Sequence, residues 1–273
     1  MLRRSIRSTL EHFPSIALFL RTIRDVMDQR GRPQKTPWGF TLAGHDAMAA
    51  GTFEPEETRL VREILKNVDI FVNVGANIGY YCCHALSLGR PVRAVEPIGR
   101  NLHYLLRNIR DNGWEKQAEV FPVAAGCRAD ILQMWGGGTG ASLVKGWASI
   151  PESYVTLVPV MTLDRLLGSN LPGLRALIVV DIEGAEWMML QGAMTILENR
   201  PRPTWMVEIS AAAHQPGGSG FNPRFQATFD MFFDRGYRAY AADASGREVT
   251  KANVEQILAG QLRLSGHNFV FRE

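Results

Sequence analysis

Short, largely apolar runs separated by helix-length amphipathic segments are what most constrains this chain. Ile70–Val74, Val92–Val95 and Ala176–Val180 lack the in–out alternation of a strand with one wet face. Strands of that kind need cover on both sides, which a parallel sheet with helical crossovers provides. The intervening segments Glu56–Lys66, Ile78–Leu88, Gly99–Asn112, Glu186–Leu197 and Phe225–Phe233 have helical spacing. Val120–Val123, Val155–Val160, Thr204–Ile209, Tyr237–Ala241 and Phe269–Phe271 read as further strands. The pattern predicts one doubly wound, mostly parallel α/β domain over residues 55–273.

Residues 1–54 read as a basic, helical N-terminal extension. Leu2, Ile6, Leu10, Phe13, Ile16, Leu20, Ile23 and Met27 recur at helical spacing, interrupted by Pro14. Two readings stay open: these helices pack on the domain, or residues 1–30 lie on an anionic membrane surface. A signal peptide fits poorly, because the apolar stretch Ile16–Leu20 is short and no small-residue cleavage site follows. Basic and acidic side chains number 30 and 27, and the excess sits in the first 35 residues. The rest is near neutral, so nucleic acid is not an expected partner. Three cysteines without metal-ligand spacing argue for a reducing compartment and against a structural zinc. No run of about 18 apolar residues occurs. The expectation is a cytoplasmic protein, membrane-associated in the second reading, with its oligomeric state open.

In a doubly wound sheet, ligands bind beyond the carboxyl ends of the strands. After the first strand stands Asn73-Val74-Gly75-Ala76-Asn77-Ile78-Gly79, leading into a helix. Glycines permit a sharp turn and close backbone approach, and a helix start offers free N–H groups. The spacing is not the three-glycine pattern of dinucleotide binders, and a purely structural turn would use the same residues. After the second strand stands Glu96-Pro97, with Glu96 21 residues past Gly75, about where an acid meets ribose hydroxyls in nucleoside sites. After the fourth come Asp181, Glu183 and Glu186, and Glu208 ends the next. Glu186 suits a helix N-terminus. The acidic rim repels polyphosphates and favours a sulfonium or ammonium ligand.

The segments Asn73–Gly79, Val95–Pro97, Asn108 with Asn112, Thr162–Asp164 and Asp181–Glu186 together resemble the FkbM-type family of S-adenosylmethionine-dependent methyltransferases. The resemblance runs from about Asp69 to Glu208, with a weaker echo at His267–Phe271. It implies a seven-stranded class I methyltransferase sheet, S-adenosylmethionine as donor, and a hydroxyl acceptor on a sugar, glycolipid or polyketide. By the same resemblance Gly75–Gly79, including Ala76, Asn77 and Ile78, would cradle the methionine part. Glu96 would accept from the ribose, with Pro97 and Asn101 beside it, and Ala124 would face the adenine. Asp181 would border the transferring methyl group. The family's first motif generally opens with Asp, whereas this chain has Asn73, which keeps a carbonyl and loses a charge.

A hydroxyl acceptor needs a base, and Glu183, Glu208 and His214 are the candidates. A divalent metal on Asp181, Glu183 and Glu208 is chemically reasonable but not expected. His84 and the adjacent cysteines read as helix-face or core residues. Trp135–Trp147, Ser210–Phe225 and the N-terminal segment are left to form the acceptor pocket. Rival readings are methylation of nitrogen or of a protein side chain, a non-catalytic nucleoside-binding scaffold, and a nicotinamide-dependent oxidoreductase.

Overall fold

The computed structural model describes residues 31–168, 171–217 and 220–273. The amphipathic stripe from Leu2 to Met27, and the membrane reading attached to it, lie outside the described residues. Among them, no helix is long and apolar enough to cross a membrane.

The main sheet has eight strands. In chain order they are β1 (Ile70–Val74), β2 (Val92–Val95), β3 (Ala118–Phe121), β4 (Ala176–Val180), β5 (Thr204–Glu208), β6 (Arg238–Ala241), β7 (Glu248–Val249) and β8 (Asn268–Arg272). Their spatial order is β7-β6-β8-β5-β4-β1-β2-β3. The five strands β3, β2, β1, β4 and β5 are parallel, while β8 runs antiparallel to both β5 and β6. Seven of these match the expected sheet; the eighth is the two-residue β7, a hairpin partner that extends the edge beyond β6. Strand order reverses between β1 and β4, which opens a crevice at their carboxyl ends.

Every residue of β1 and β4 is buried. Alternate side chains serve opposite faces: Ile70, Val72, Val74, Ile178 and Val180 join one core cluster, and Phe71, Leu177 and Val179 the other. Double-sided cover is why these strands read as unbroken apolar runs.

Three expectations shift. Val155–Met161 is a strand, but it lies outside the main sheet, pairing antiparallel with Asp130–Trp135 and parallel with Ala124–Ala125. One face of that ladder is open, with Ile131 and Leu157 each 68% exposed, so its half-polar sequence hid Asp130–Trp135 from the periodicity. The strand expected at Val120–Val123 ends at Phe121, one residue before Pro122. The helix expected over Glu186–Leu197 is two short ones, Glu186–Leu190 and Met194–Leu197. Gly192 lies at the break, pressed so closely on another loop that an added Cβ would sit 2.1 Å from the Gly126 carbonyl oxygen. Asp164 restarts the second helix by accepting from the Thr195 and Ile196 amides, each at 3.0 Å.

Residues 31–54, set apart from the domain on sequence grounds, are hydrogen-bonded into its flank. They form a hairpin (Gln34–Lys35 with Thr41–Leu42) and one short helix, Asp46–Ala50. Asn108 and Asn112, one turn apart along the helix Gly99–Asp111 and its cap, stand in for a neighbouring strand. Asn108 accepts from the Ala43 amide (2.8 Å) and donates to the Ala43 and Ile78 carbonyls (3.0 and 2.9 Å). Asn112 makes the same reciprocal pair with Thr41, accepting at 2.9 Å and donating at 2.8 Å. Replacing Asn108, which is 1% exposed, by Ala strands three buried backbone groups. The expected loss is about 3 kcal/mol of unfolding free energy in a urea titration, with a smaller loss for the more accessible Asn112→Ala.

Candidate active site

The site begins at a backbone junction. The Asp181 amide donates to the Val74 carbonyl (3.0 Å), and the Gly75 and Ala76 amides both donate to the Val95 carbonyl (3.0 Å each). Gly75 has φ 82°, and an added Cβ there would fall 1.8 Å from the Asp181 carbonyl oxygen. Only glycine allows β1 and β4 to close at this point. The junction draws Gly75, Glu96 and Asp181 to one cleft.

Glu96 ends β2 and is 3% exposed. One carboxylate oxygen accepts from the Asn77 amide (2.8 Å); the other accepts from the Ile98 amide (2.8 Å) and the Asn101 side-chain amide (3.2 Å). Burial pushes its pKa up to about 7, against the pull of those donors. The cleft wall beside it is apolar: Val95, Ile98, Val123, Met134 and Leu143, with Ala124 and Ala125. Asn77 also lines the cleft, and its side-chain oxygen is buried without a hydrogen-bond partner. The lining contains no lysine, arginine or histidine and three acids, Glu96, Asp181 and Glu183.

Asp181 lies at the floor, open to the cleft space yet deep within the protein. Its carboxyl is raised well above the ordinary range by its depth and by hydrogen bonding to Glu208, with Glu183 and Glu96 adding repulsion. Because solvent reaches Asp181 through the cleft, the direct contact with Glu208 is the firmer cause. Asp181 and Glu208 therefore titrate as a coupled pair. Glu208 itself is pushed up to about 7, mainly by burial and against the pull of Asp181. Glu54 flanks this pair. It stands in a left-handed conformation (φ 41°), accepts from the Tyr81 hydroxyl at 2.7 Å, and burial raises it to about 7.

Glu183 also has a left-handed backbone (φ 56°). Its carboxylate accepts from the Trp147 indole N–H at 2.6 Å, and its carbonyl from the Ser142 hydroxyl. The Trp147 ring lies over Gly184, where an added Cβ would come within 2.5 Å of it. Glu186 turns back to accept from the Gly184 amide (3.0 Å) and, more weakly, from that of Ile182 (3.4 Å). It holds the turn after β4 and is raised to about 8 by burial.

Of the residues singled out in the sequence, Gly75, Asn77, Glu96, Pro97, Asn101, Ala124, Asp181 and Glu183 share the cleft. Asn73, Ala76, Ile78 and Gly79 do not line it. Asn73 is buried inside β1 and accepts from the Cys82 thiol (3.5 Å). Ala76 and Ile78 belong to core clusters. Gly79 makes room for Leu105, whose Cδ1 would be 2.5 Å from an added Cβ. Glu208 reaches the site through Asp181. His214 is exposed; its ring rests 5.9 Å from Trp147 and its carbonyl accepts from the Ala148 amide. His84 is fully buried beside Arg62 and Trp38, and burial lowers its pKa to about 3. Glu54 and Tyr81 were missed by the sequence reading, as was the Trp147–Glu183 bond. A glutamate ahead of a helix-starting proline carries no local signal of a distant carboxyl pair.

A sequence profile of the methyltransferase FkbM domain matches residues 73–239. The chain belongs to the FkbM methyltransferase family. No curated protein matches it. Among solved structures it is similar to the FkbM methyltransferase of Methylobacillus flagellatus KT, at 17% identity and TM-score 0.45, covering 93% of this chain and 60% of that one. This FkbM methyltransferase thus spans under two thirds of the length of the Methylobacillus protein. It is also similar to an O-methyltransferase from Bacillus cereus in complex with SAH (9% identity, TM-score 0.47, 82% and 83% covered). A third is the Aeropyrum pernix fibrillarin with bound S-adenosyl-L-methionine (11%, TM-score 0.41, 79% and 75%).

The raised carboxyls make stability of the ligand-free FkbM protein pH-dependent. Glu54, Glu96 and Glu208 near 7 and Glu186 near 8 hold protons that the unfolded chain releases near 4.5. Their contribution is full below the unfolded value and is lost as pH rises through 7–8. His84, depressed to about 3, acts oppositely, costing stability as pH falls below 6.5. Thermal unfolding is therefore expected at a higher temperature at pH 6.5 than at pH 8.5. A flat or inverted dependence would show that these carboxyls are ionised in the folded protein.

Proposed function

We propose that this FkbM methyltransferase transfers a methyl group from S-adenosylmethionine to a hydroxyl of a sugar, glycolipid or polyketide. The carrying observation is a cleft at the carboxyl ends of the strands lined by three acids and by no lysine, arginine or histidine, with Glu96 at the end of β2. Such a lining suits a cationic nucleoside and disfavours the diphosphate of NAD. The residues present fit the donor. Glu96 has lone pairs for ribose hydroxyls, the unpartnered Asn77 oxygen can take an ammonium or hydroxyl hydrogen, and the apolar wall accommodates a purine.

The bound donor supplies a sulfonium-activated methyl carbon. The protein's part is to align the acceptor, exclude water and remove a proton. Glu208, hydrogen-bonded to Asp181 at the cleft floor, is the best-placed base, since its partner already lines the cleft while His214 does not. Glu183, fixed by Trp147, is placed to orient the acceptor hydroxyl. The N-terminal 30 residues remain a candidate membrane contact for presenting a lipid-linked acceptor.

Titrating S-adenosylmethionine and NAD into purified protein tests the donor, and preferential NAD binding discards this reading. Labelled donor incubated with cell extract, followed by mass spectrometry of the tagged product, identifies the acceptor. Glu96→Ala is expected to weaken donor binding by about tenfold or more through lost charge-assisted hydrogen bonds. Glu208→Gln is expected to spare donor binding and lower methyl transfer by about 10²–10⁴-fold. Equal losses of donor affinity in both variants would refute this division of roles.

A further inference from the structure

The segment from Gly136 to Ala148 touches both halves of the site. Near its start, Trp135 and Ser142 exchange backbone hydrogen bonds, each 2.9 Å, closing a glycine-rich hairpin whose tip overhangs the cleft. Gly138, Thr139, Ala141 and Leu143 of this strap line the cleft, and Gly136 and Gly138 adopt left-handed conformations (φ 89° and 67°). Ser142 at the hairpin base holds the carbonyl of Glu183, and Trp147 near the far end holds its carboxylate. Ala148 then ties the strap to His214.

One side chain links the tip to the donor half. Asn101 is 4% exposed, and its side-chain amide nitrogen donates to Glu96 (3.2 Å) and to the Gly138 carbonyl (3.0 Å). Its two hydrogens are thereby used. A ligand hydroxyl that engages Glu96 changes what that carboxylate accepts, and Asn101 carries the change to Gly138. The hairpin's bonded base then carries it to Ser142 and Glu183.

We propose that Asn101 is a positioning residue through which donor occupancy at Glu96 fixes the Gly136–Ala148 strap and so sets Glu183 for the acceptor. This rests on the donor reading above. It makes binding ordered: donor first, acceptor second. The base about which the strap is fixed is the Trp135–Ser142 pair.

Hydrogen exchange with S-adenosylhomocysteine as probe tests it. In the native protein, saturating probe is expected to slow exchange about threefold or more in the strap and also in residues 182–186. In Asn101→Ala the probe is expected still to bind, with its dissociation constant raised less than about tenfold because Glu96 keeps its backbone donors. Protection at the strap tip and at 182–186 is then lost, and Asn101→Gln restores part of it. Native protection that stops short of 182–186 overturns the proposal. So does full protection of the strap tip and of 182–186 in Asn101→Ala. Should that variant not fold, Asn101→Ser takes its place, with the same expected loss of protection at the strap tip and at 182–186. No binding of the probe to the native protein would instead refute the donor reading.

Discussion

Everything in the site hangs on the contact between Gly75 and the backbone of Asp181. The carbonyl of Asp181 occupies the space a β-carbon would need, and the Asp181 amide is bonded to Val74. Two central parallel strands can end this close together only if one contributes no side chain. From that closure follow the position of Asp181 at the cleft floor and the exit of the chain toward Asn77. Glu96 joins from β2, whose last carbonyl accepts the Gly75 and Ala76 amides.

The second constraint is electrostatic. Glu96 and Glu186 are buried against backbone donors, while Asp181, Glu208 and Glu54 crowd one another without a cationic partner in the cleft lining. Burying carboxylates is costly unless they bond or keep their protons, and this site does both. Backbone amides hold Glu96 and Glu186 in fixed geometry, so they shape the pocket. The Asp181 and Glu208 carboxyls instead face each other, and each is pushed upward.

Much of this was legible in the sequence because strands with both faces covered write themselves as apolar runs, and because strand ends in such sheets are marked by glycine or an acid. Gly75, Glu96 and Asp181 were found that way. The motif continues through Ile78 and Gly79, which stand outside the cleft lining: Gly79 makes room for Leu105, and the Ile78 carbonyl accepts from Asn108. Asp164 and the pair Asn108 and Asn112 stand in the family's pattern, yet the structure shows them capping a helix and clamping residues 41–43. Asp130–Trp135 was hidden because a half-exposed ladder mixes polar and apolar residues on both faces. Glu54 was hidden because its neighbours in space, Tyr81 and the Asp181–Glu208 pair, are far along the chain.

The contact between the Asp181 and Glu208 carboxyls makes the charge of the cleft floor sensitive to what lies beside it. A cation beside two such carboxyls favours their ionised forms, and a neutral molecule in the same place does not. For a floor built this way, charged and neutral ligands of one shape are told apart by pH.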